Sequence, residues 1–530
     1  MMTKIFNWLL NKQKIIGIFI GFIVILAFFI VFILANPFIR QIVLLNGDSL
    51  TLPIIFNELF AGKIADFNFF TQTFVFPELF LYLPCYLIGK LLALKLGIAI
   101  GMMISLMLNT ILDMGIVMWL FYCISRTIVS SKMRALYSSL VGVTLLAAMH
   151  LMWFWSKVTD FSSNIAIDLT NTYYYGAVIS GLLILILIIK IFQLNDYKIE
   201  NAKLIRNSIL LVIISALTTL SDQLFIIFVV APSLLCMTLF LIKQEFKPYK
   251  FIFSMVPLLL GVVLAKVFLK ISKIIVPSED MIGRSTTAQW IDYFHTMSAS
   301  HIWLITFGVC VVFALIAIMI GLLKLRNKQF VPAIMLLFAG SAPIVNGMII
   351  VGLGMQVTGR YFITFWLYPL ILMVYLVATV KNNIICRIIN TLTVVTLFIL
   401  FSFTCIESRK NVVLPVRNTY VQQVIKLANK TGDKPFAILG DYFQIRAIDL
   451  YSDNKIVARQ ARFDGIDKKM KEHIAQSTSD YDYEFHYYLS SRSDDRTFAA
   501  EYPPDKIYKL AGPEGYQVWY YKHNILALKK

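Results

Sequence analysis

The chain has 530 residues, of which 58% are hydrophobic and only 15% charged. No soluble core of that length holds so much apolar sequence, so a water-soluble globular class is excluded and the excess faces lipid. The formal net charge of +18 comes from lysines and arginines gathered in short loops between apolar runs, a topology pattern that argues against nucleic acid as a partner.

Lys4, Lys12 and Lys14 place the N-terminus in the cytoplasm, and Ile15 to Ala35 is long enough to cross a bilayer. This run is too long for a signal-peptide core and no small-residue cleavage site follows, which predicts a retained first span. A long outer loop, 36–96, comes next. Within it, 76–94 carries Pro77, Glu78, Pro84 and Lys90, with Lys95 just beyond, and is predicted to be an interfacial helix. The basic clusters around Arg126, Lys203, Lys247, Arg326 and Arg387 then all fall inside. The predicted spans are approximately 15–35, 97–124, 135–155, 174–193, 207–221, 224–242, 251–270, 301–323, 330–353, 361–380 and 388–406, about eleven in all, which leaves the C-terminus outside. Further long outer loops run over 156–172 and 271–300. The six cysteines all lie in apolar runs and read as small packing residues.

From Ser408 the composition changes. Helices at 420–429, 445–451 and 465–475 alternate with strands at 436–439, 455–459, 483–489, 507–510 and 516–521, predicting a small α/β domain. The expected fold is an α-helical polytopic membrane protein of two parts: a transmembrane module over 1–407 and a soluble extracytoplasmic domain over 408–530.

Candidate chemistry gathers on the outer face. Asp48, in Gly47-Asp48-Ser49 just beyond the first span, suits a general base, or is a solvated or capping aspartate. Asp66 and Glu78 follow in the same loop. Asn109 and Asp113 lie one turn apart in mid-bilayer, as a proton relay or a packing hydrogen bond. His150 and Asp160 flank a tryptophan-rich helix end and form a weak metal-ligand pair, while Tyr173-Tyr174-Tyr175 is a sugar-stacking platform or a helix anchor. Asp222 occupies a short polar turn. Lys266, Lys270 and Lys273 share one helix face on the outer side, with Arg284 beyond, and bind phosphate or snorkel to anionic lipid. Arg360, in Gly359-Arg360-Tyr361, is the best candidate for an anion ligand, because arginine forks onto phosphate oxygens and keeps its charge.

A first outer loop opening on an acidic residue, interfacial helices within it, about eleven spans and an α/β tail together resemble the GT-C superfamily of polytopic membrane glycosyltransferases. Gly47-Asp48 is similar to that superfamily's first-loop acidic motif, and Gly359-Arg360-Tyr361-Phe362 to an Arg-Tyr motif found late in many bacterial members. The resemblance implies a sugar donor on polyprenyl phosphate, or an oligosaccharide on polyprenyl pyrophosphate. It implies transfer on the extracytoplasmic face of the inner membrane to an envelope lipid, glycan or protein. In those terms Asp48 is the base, Arg360 with Lys270 or Arg284 holds the donor phosphate, and Asp222, Asp160, His150, Glu78 and Tyr361 support them. The paired first-loop acidic residues of some members are missing, which leaves a divalent metal cofactor open. A transporter or flippase of a lipid-linked sugar, and a glycan polymerase or ligase, are the competing expectations.

Overall fold

The computed structural model describes residues 21–27, 43–63, 72–155, 174–194, 201–242, 248–272, 283–381, 419–452, 455–464, 469–472, 483–490, 495–511 and 515–529, with isolated positions at 30, 69 and between 388 and 406. Helices dominate the described residues up to position 380. They are α1 (Thr51–Phe60), α2 (Phe80–Leu96), α3 (Ile98–Arg126), α4 (Lys132–Trp155), α5 (Tyr175–Gln193), α6 (Asn201–Ser221), α7 (Ala231–Ile242), α8 (Pro248–Ser272), α9 (Thr287–Ser298), α10 (His301–Arg326), α11 (Phe330–Gly352), α12 (Ile363–Leu367) and α13 (Leu370–Thr379). A short segment kinked at Phe76, Val75–Leu79, leads into α2, and a π-helical turn, Ile226–Val230, leads into α7.

Eight helical segments among the described residues are long and apolar enough to cross a membrane. The expected span at 15–35 falls largely outside those residues, and that at 388–406 is described only at scattered helical positions. Val75–Leu96, expected at the interface, is helical apart from a kink at Phe76 and has the length and hydropathy that a span would also need. Pro84 is accommodated inside it, and its lysines, Lys90 and Lys95, sit toward its C-terminal end instead of interrupting the apolar run. Gly97 then turns the chain back, so that α2 and α3 pack together with Tyr82 accepting from the Ser105 hydroxyl at 2.5 Å.

Helix ends follow ordinary capping chemistry. Ser300 caps α10 by accepting from the Trp303 amide, and Lys324 and Arg326 stand in its last turn, where cations complement the helix dipole. α5 is buried on nearly every side and almost wholly apolar before Lys190 in its last turn, as a helix at the centre of a bundle must be.

The tail contains α14 (Tyr420–Thr431), β1 (Phe436–Gly440), α15 (Tyr442–Tyr451), β2 (Ile456–Asp464), β3 (Lys469–Glu472), β4 (Tyr487–Ser490), α16 (Asp495–Glu501), β5 (Lys506–Lys509) and β6 (Gln517–Tyr520). The sheet order is β3-β2-β1-β4-β6-β5, with β1 parallel to both β2 and β4 and the remaining pairs antiparallel. β1 is the run Phe-Ala-Ile-Leu-Gly, buried at all five positions, as a central strand covered on both faces should be. The helix expected over 465–475 is replaced by the edge strand β3, paired antiparallel with an extended β2 from Ala461↔Glu472 to Asp464↔Lys469. Ile466, Met470 and Ile474 have helical spacing, but Lys-Met-Lys-Glu also alternates, and pairing with β2 decides between the periods. The expected boundary at 407/408 lies outside the described residues.

Candidate functional site

The first outer loop begins with a tight turn. Asn46 Oδ1 accepts from the Asp48 amide at 2.9 Å, and the Thr51 hydroxyl donates to the Gly47 carbonyl at 3.0 Å, so side chains on both sides fix the turn that opens α1. The turn leaves Asp48 only 6% exposed. Some 312 residues later, Thr358 caps a 3-10 turn, Gly359–Phe362, by accepting from the Arg360 amide. Arg360 Nη1 donates to Asp48 Oδ2 at 2.8 Å. The two short motifs of the sequence therefore meet as one ion pair, with the arginine a quarter exposed and the carboxylate almost enclosed.

Tyr361 points inward, 2% exposed, and packs against Tyr174 with ring centroids 5.3 Å apart. Tyr174, weighed as a sugar-stacking or anchoring residue, stands at the N-terminus of α5 as a neighbour of the Arg-Tyr motif. Arg284 acts electrostatically on Tyr361. It is held nearby because Gly283 and Ser285 donate their amides to Leu353 and Gly354, which strap this segment to the approach to Arg360.

A second acidic group lies beside the pair. Thr73 is tied to the outer end of α6 by its amide to the Ser221 carbonyl at 3.2 Å and its hydroxyl to the Leu220 carbonyl at 2.9 Å, and the Phe76 amide donates to the Ser221 hydroxyl. That clip brings Glu78 close to Asp222; each is 1% exposed. The Glu78 carboxyl lies against Gly176 in the first turn of α5, where a Cβ would be 2.1 Å from its Oε1 and would force the carboxyl to shift. Asp222 accepts from the Leu224 amide at 2.9 Å. Burial pushes its carboxyl up from 3.8 to about 7, against the smaller opposing effects of the Leu224 amide and the Gln72 side chain. Glu78 Oε2 and Gln72 Oε1 are buried with no hydrogen-bond partner among the described residues.

Other expected residues are not drawn in. Lys270 is exposed on α8 and makes no hydrogen bond or ion pair among the described residues. Lys266 donates instead to Gln223, next to Asp222. His150 is buried and bonds the Leu146 carbonyl through Nδ1 at 2.7 Å, while Asp66, Asp160, Tyr173 and Lys273 lie outside the described residues. No three His, Cys, Asp or Glu side chains converge among the described residues. Asp113 is fully buried in α3, near Cys85 of α2.

An apolar groove of about 570 Å³ adjoins the site, lined by Phe294, Phe307, Met348, Val351, Phe362 and Phe365 among others. Phe362 connects it to the Arg-Tyr turn. Sequence reasoning missed this groove, because its aromatic residues come from separate helices and each reads as ordinary span filler. It also missed Tyr442 and Phe443, which touch the Asp48 turn from the tail and carry no local signature.

No protein-family model matches the sequence, and no curated protein does. Among solved structures, the crystal structure of ArnT from Cupriavidus metallidurans bound to undecaprenyl phosphate is similar over 98% of this chain and 99% of that one, with a TM-score of 0.54 and 10% sequence identity. The chain shares the fold of that structure. At this identity the likeness carries architecture, and roles for individual residues rest on the geometry above.

Proposed function

We propose that this chain is a membrane glycosyltransferase moving a sugar from a polyprenyl-phosphate-linked donor to an envelope acceptor on the extracytoplasmic face. The carrying observation is the 2.8 Å pair between Asp48 and Arg360. It places a candidate base and a candidate phosphate ligand within one bond of each other. The adjoining apolar groove suits an isoprenoid chain, and the similar ArnT structure has undecaprenyl phosphate bound.

In this reading the donor phosphate displaces Asp48 from Arg360. The released carboxylate takes the proton of an acceptor hydroxyl, whose oxygen bonds to the anomeric carbon as the carbon–phosphate-oxygen bond breaks. The electron pair leaves with polyprenyl phosphate, and Arg360, aided by Arg284, stabilises the developing charge; such a leaving group needs no general acid. Glu78 and Gln72 offer buried, unused acceptor oxygens that sugar hydroxyls would satisfy. The competing transporter reading leaned on Asp113, whose burial beside Cys85 supports a packing role instead.

Binding of undecaprenyl phosphate to the full-length protein in nanodiscs, followed by native mass spectrometry, tests the exchange. Arg360→Ala is expected to weaken binding at least about tenfold, the worth of one charge-assisted hydrogen bond. Asp48→Asn is expected to strengthen it, because the competitor for the guanidinium loses its charge. Equal affinities for all three proteins would remove the basis for the proposal.

A further inference from the structure

The tail does more than sit above the bundle. Its α15 runs against the first-loop turn at both ends. At one end Tyr451 donates its hydroxyl to the Leu44 carbonyl at 2.8 Å in a buried bond. At the other, the Gly47 amide donates to the Phe443 carbonyl at 3.1 Å, and a Cβ on Gly47 would lie 2.6 Å from the Tyr442 carbonyl oxygen, so the close approach requires glycine.

The direction of the remaining bonds follows from counting protons. Thr51 has one hydroxyl hydrogen and gives it to the Gly47 carbonyl, so at 3.0 Å the Tyr442 hydroxyl is the donor to Thr51 Oγ1. A chain of bonds thus runs from Tyr442 through Thr51 to the carbonyl of the peptide unit whose amide belongs to Asp48. Asn46 holds that amide from the other side. Tyr442 is itself fixed: Asp441 caps the start of α15, and the Arg446 guanidinium, 2% exposed, stands 5.5 Å from the Tyr442 ring centre.

We propose that Tyr442 is a positioning residue for Asp48, so that the α/β tail is a working part of the site and sets the carboxylate against Arg360. This rests on the glycosyl-transfer reading for its consequence in rate, but its geometric content stands apart from it. A chain without a docked tail would keep Arg360 and the apolar groove, and so would keep lipid-phosphate binding, while losing the placement of its base.

The test compares full-length wild type, Tyr442→Phe, Gly47→Ala and Asp48→Asn at matched expression in a deletion host. Four quantities are read: the rate at which the product mass missing from the deletion reappears, undecaprenyl phosphate binding in nanodiscs, hydrogen–deuterium exchange of the peptide covering 43–51, and the melting temperature. Tyr442→Phe is expected to slow product formation by roughly tenfold or more, since small misplacements of a reacting group are costly in rate. It is expected to speed exchange at 43–51, to leave the melting temperature unchanged and not to lower lipid-phosphate affinity. Gly47→Ala should do the same. Wild-type exchange at 43–51 in both variants would overturn the proposal, and so would a parallel loss of binding and thermal stability, which marks a general folding role. If Asp48→Asn itself makes product at the wild-type rate, the general-base assignment falls, and positioning is then decided by the exchange at 43–51.

Discussion

The turn between α6 and α7 makes a quantitative prediction about pH. Asp222 is 1% exposed, and burial raises its carboxyl from 3.8 to about 7. A group whose folded value is raised binds more protons folded than unfolded, so stability falls as pH rises between those two values and the full penalty is present above the upper one. At about 1.4 kcal/mol per pH unit, the whole window carries roughly 4 kcal/mol, of which about 3 falls between pH 5 and pH 8. Asp222→Asn keeps an oxygen for the Leu224 amide and removes the titration. With an unfolding entropy of about 2.1 cal/mol/K per residue, 3 kcal/mol corresponds to roughly 3 °C in a chain of this length. Thermal unfolding of the purified protein at pH 5 and pH 8 measures it. The substitution should raise the melting temperature at pH 8 by about 3 °C more than at pH 5. An equal effect at both pH values would refute the argument that Asp222 is a desolvated carboxyl.

Two further outcomes follow from the site. Glu78→Gln should cut product formation by roughly a hundredfold while leaving undecaprenyl phosphate binding intact, because the phosphate is assigned to Arg360 and the sugar to the buried acidic side; mass spectrometry of products and native mass spectrometry of the lipid complex separate the two. Gly347→Leu pushes a side chain into the groove beside Phe365, only 3.5 Å from where its Cβ would sit. It should weaken undecaprenyl phosphate more than a ten-carbon prenyl phosphate, measured as the ratio of the two affinities; an unchanged ratio would place the isoprenoid elsewhere.

The helical bundle, the α/β tail and both motifs of the ion pair were legible because each has a local cause. Apolar runs of about twenty residues announce spans, β1 is an uninterrupted apolar strand, and Gly47-Asp48 and Gly359-Arg360-Tyr361 stand out as polar islands at the edges of spans. Their pairing was not legible, since 312 residues separate them and nothing in either motif names its partner. The same holds for Tyr442, which meets Thr51 across 391 residues. Val75–Leu96 reads two ways for a different reason: its length and hydropathy suit a span, while Pro77, Glu78, Pro84 and its two lysines, with the placement of the later basic loops, suit an interfacial helix. Lys266 and Lys270 share α8 as their spacing predicts, with Lys270 exposed on it. Near β3 the side-chain period was ambiguous, and the pairing partner that resolves it lies beyond any local window.

The measurement closest to the central claim is mass spectrometry of the polyprenyl-phosphate pool and envelope glycans in cells carrying the intact gene, a deletion, Asp48→Asn or Arg360→Ala at matched expression. The account predicts that one sugar-sized product mass disappears in the deletion and in both variants, while its polyprenyl-phosphate-linked donor accumulates. A product lost in the deletion but made at wild-type levels by Asp48→Asn would contradict it.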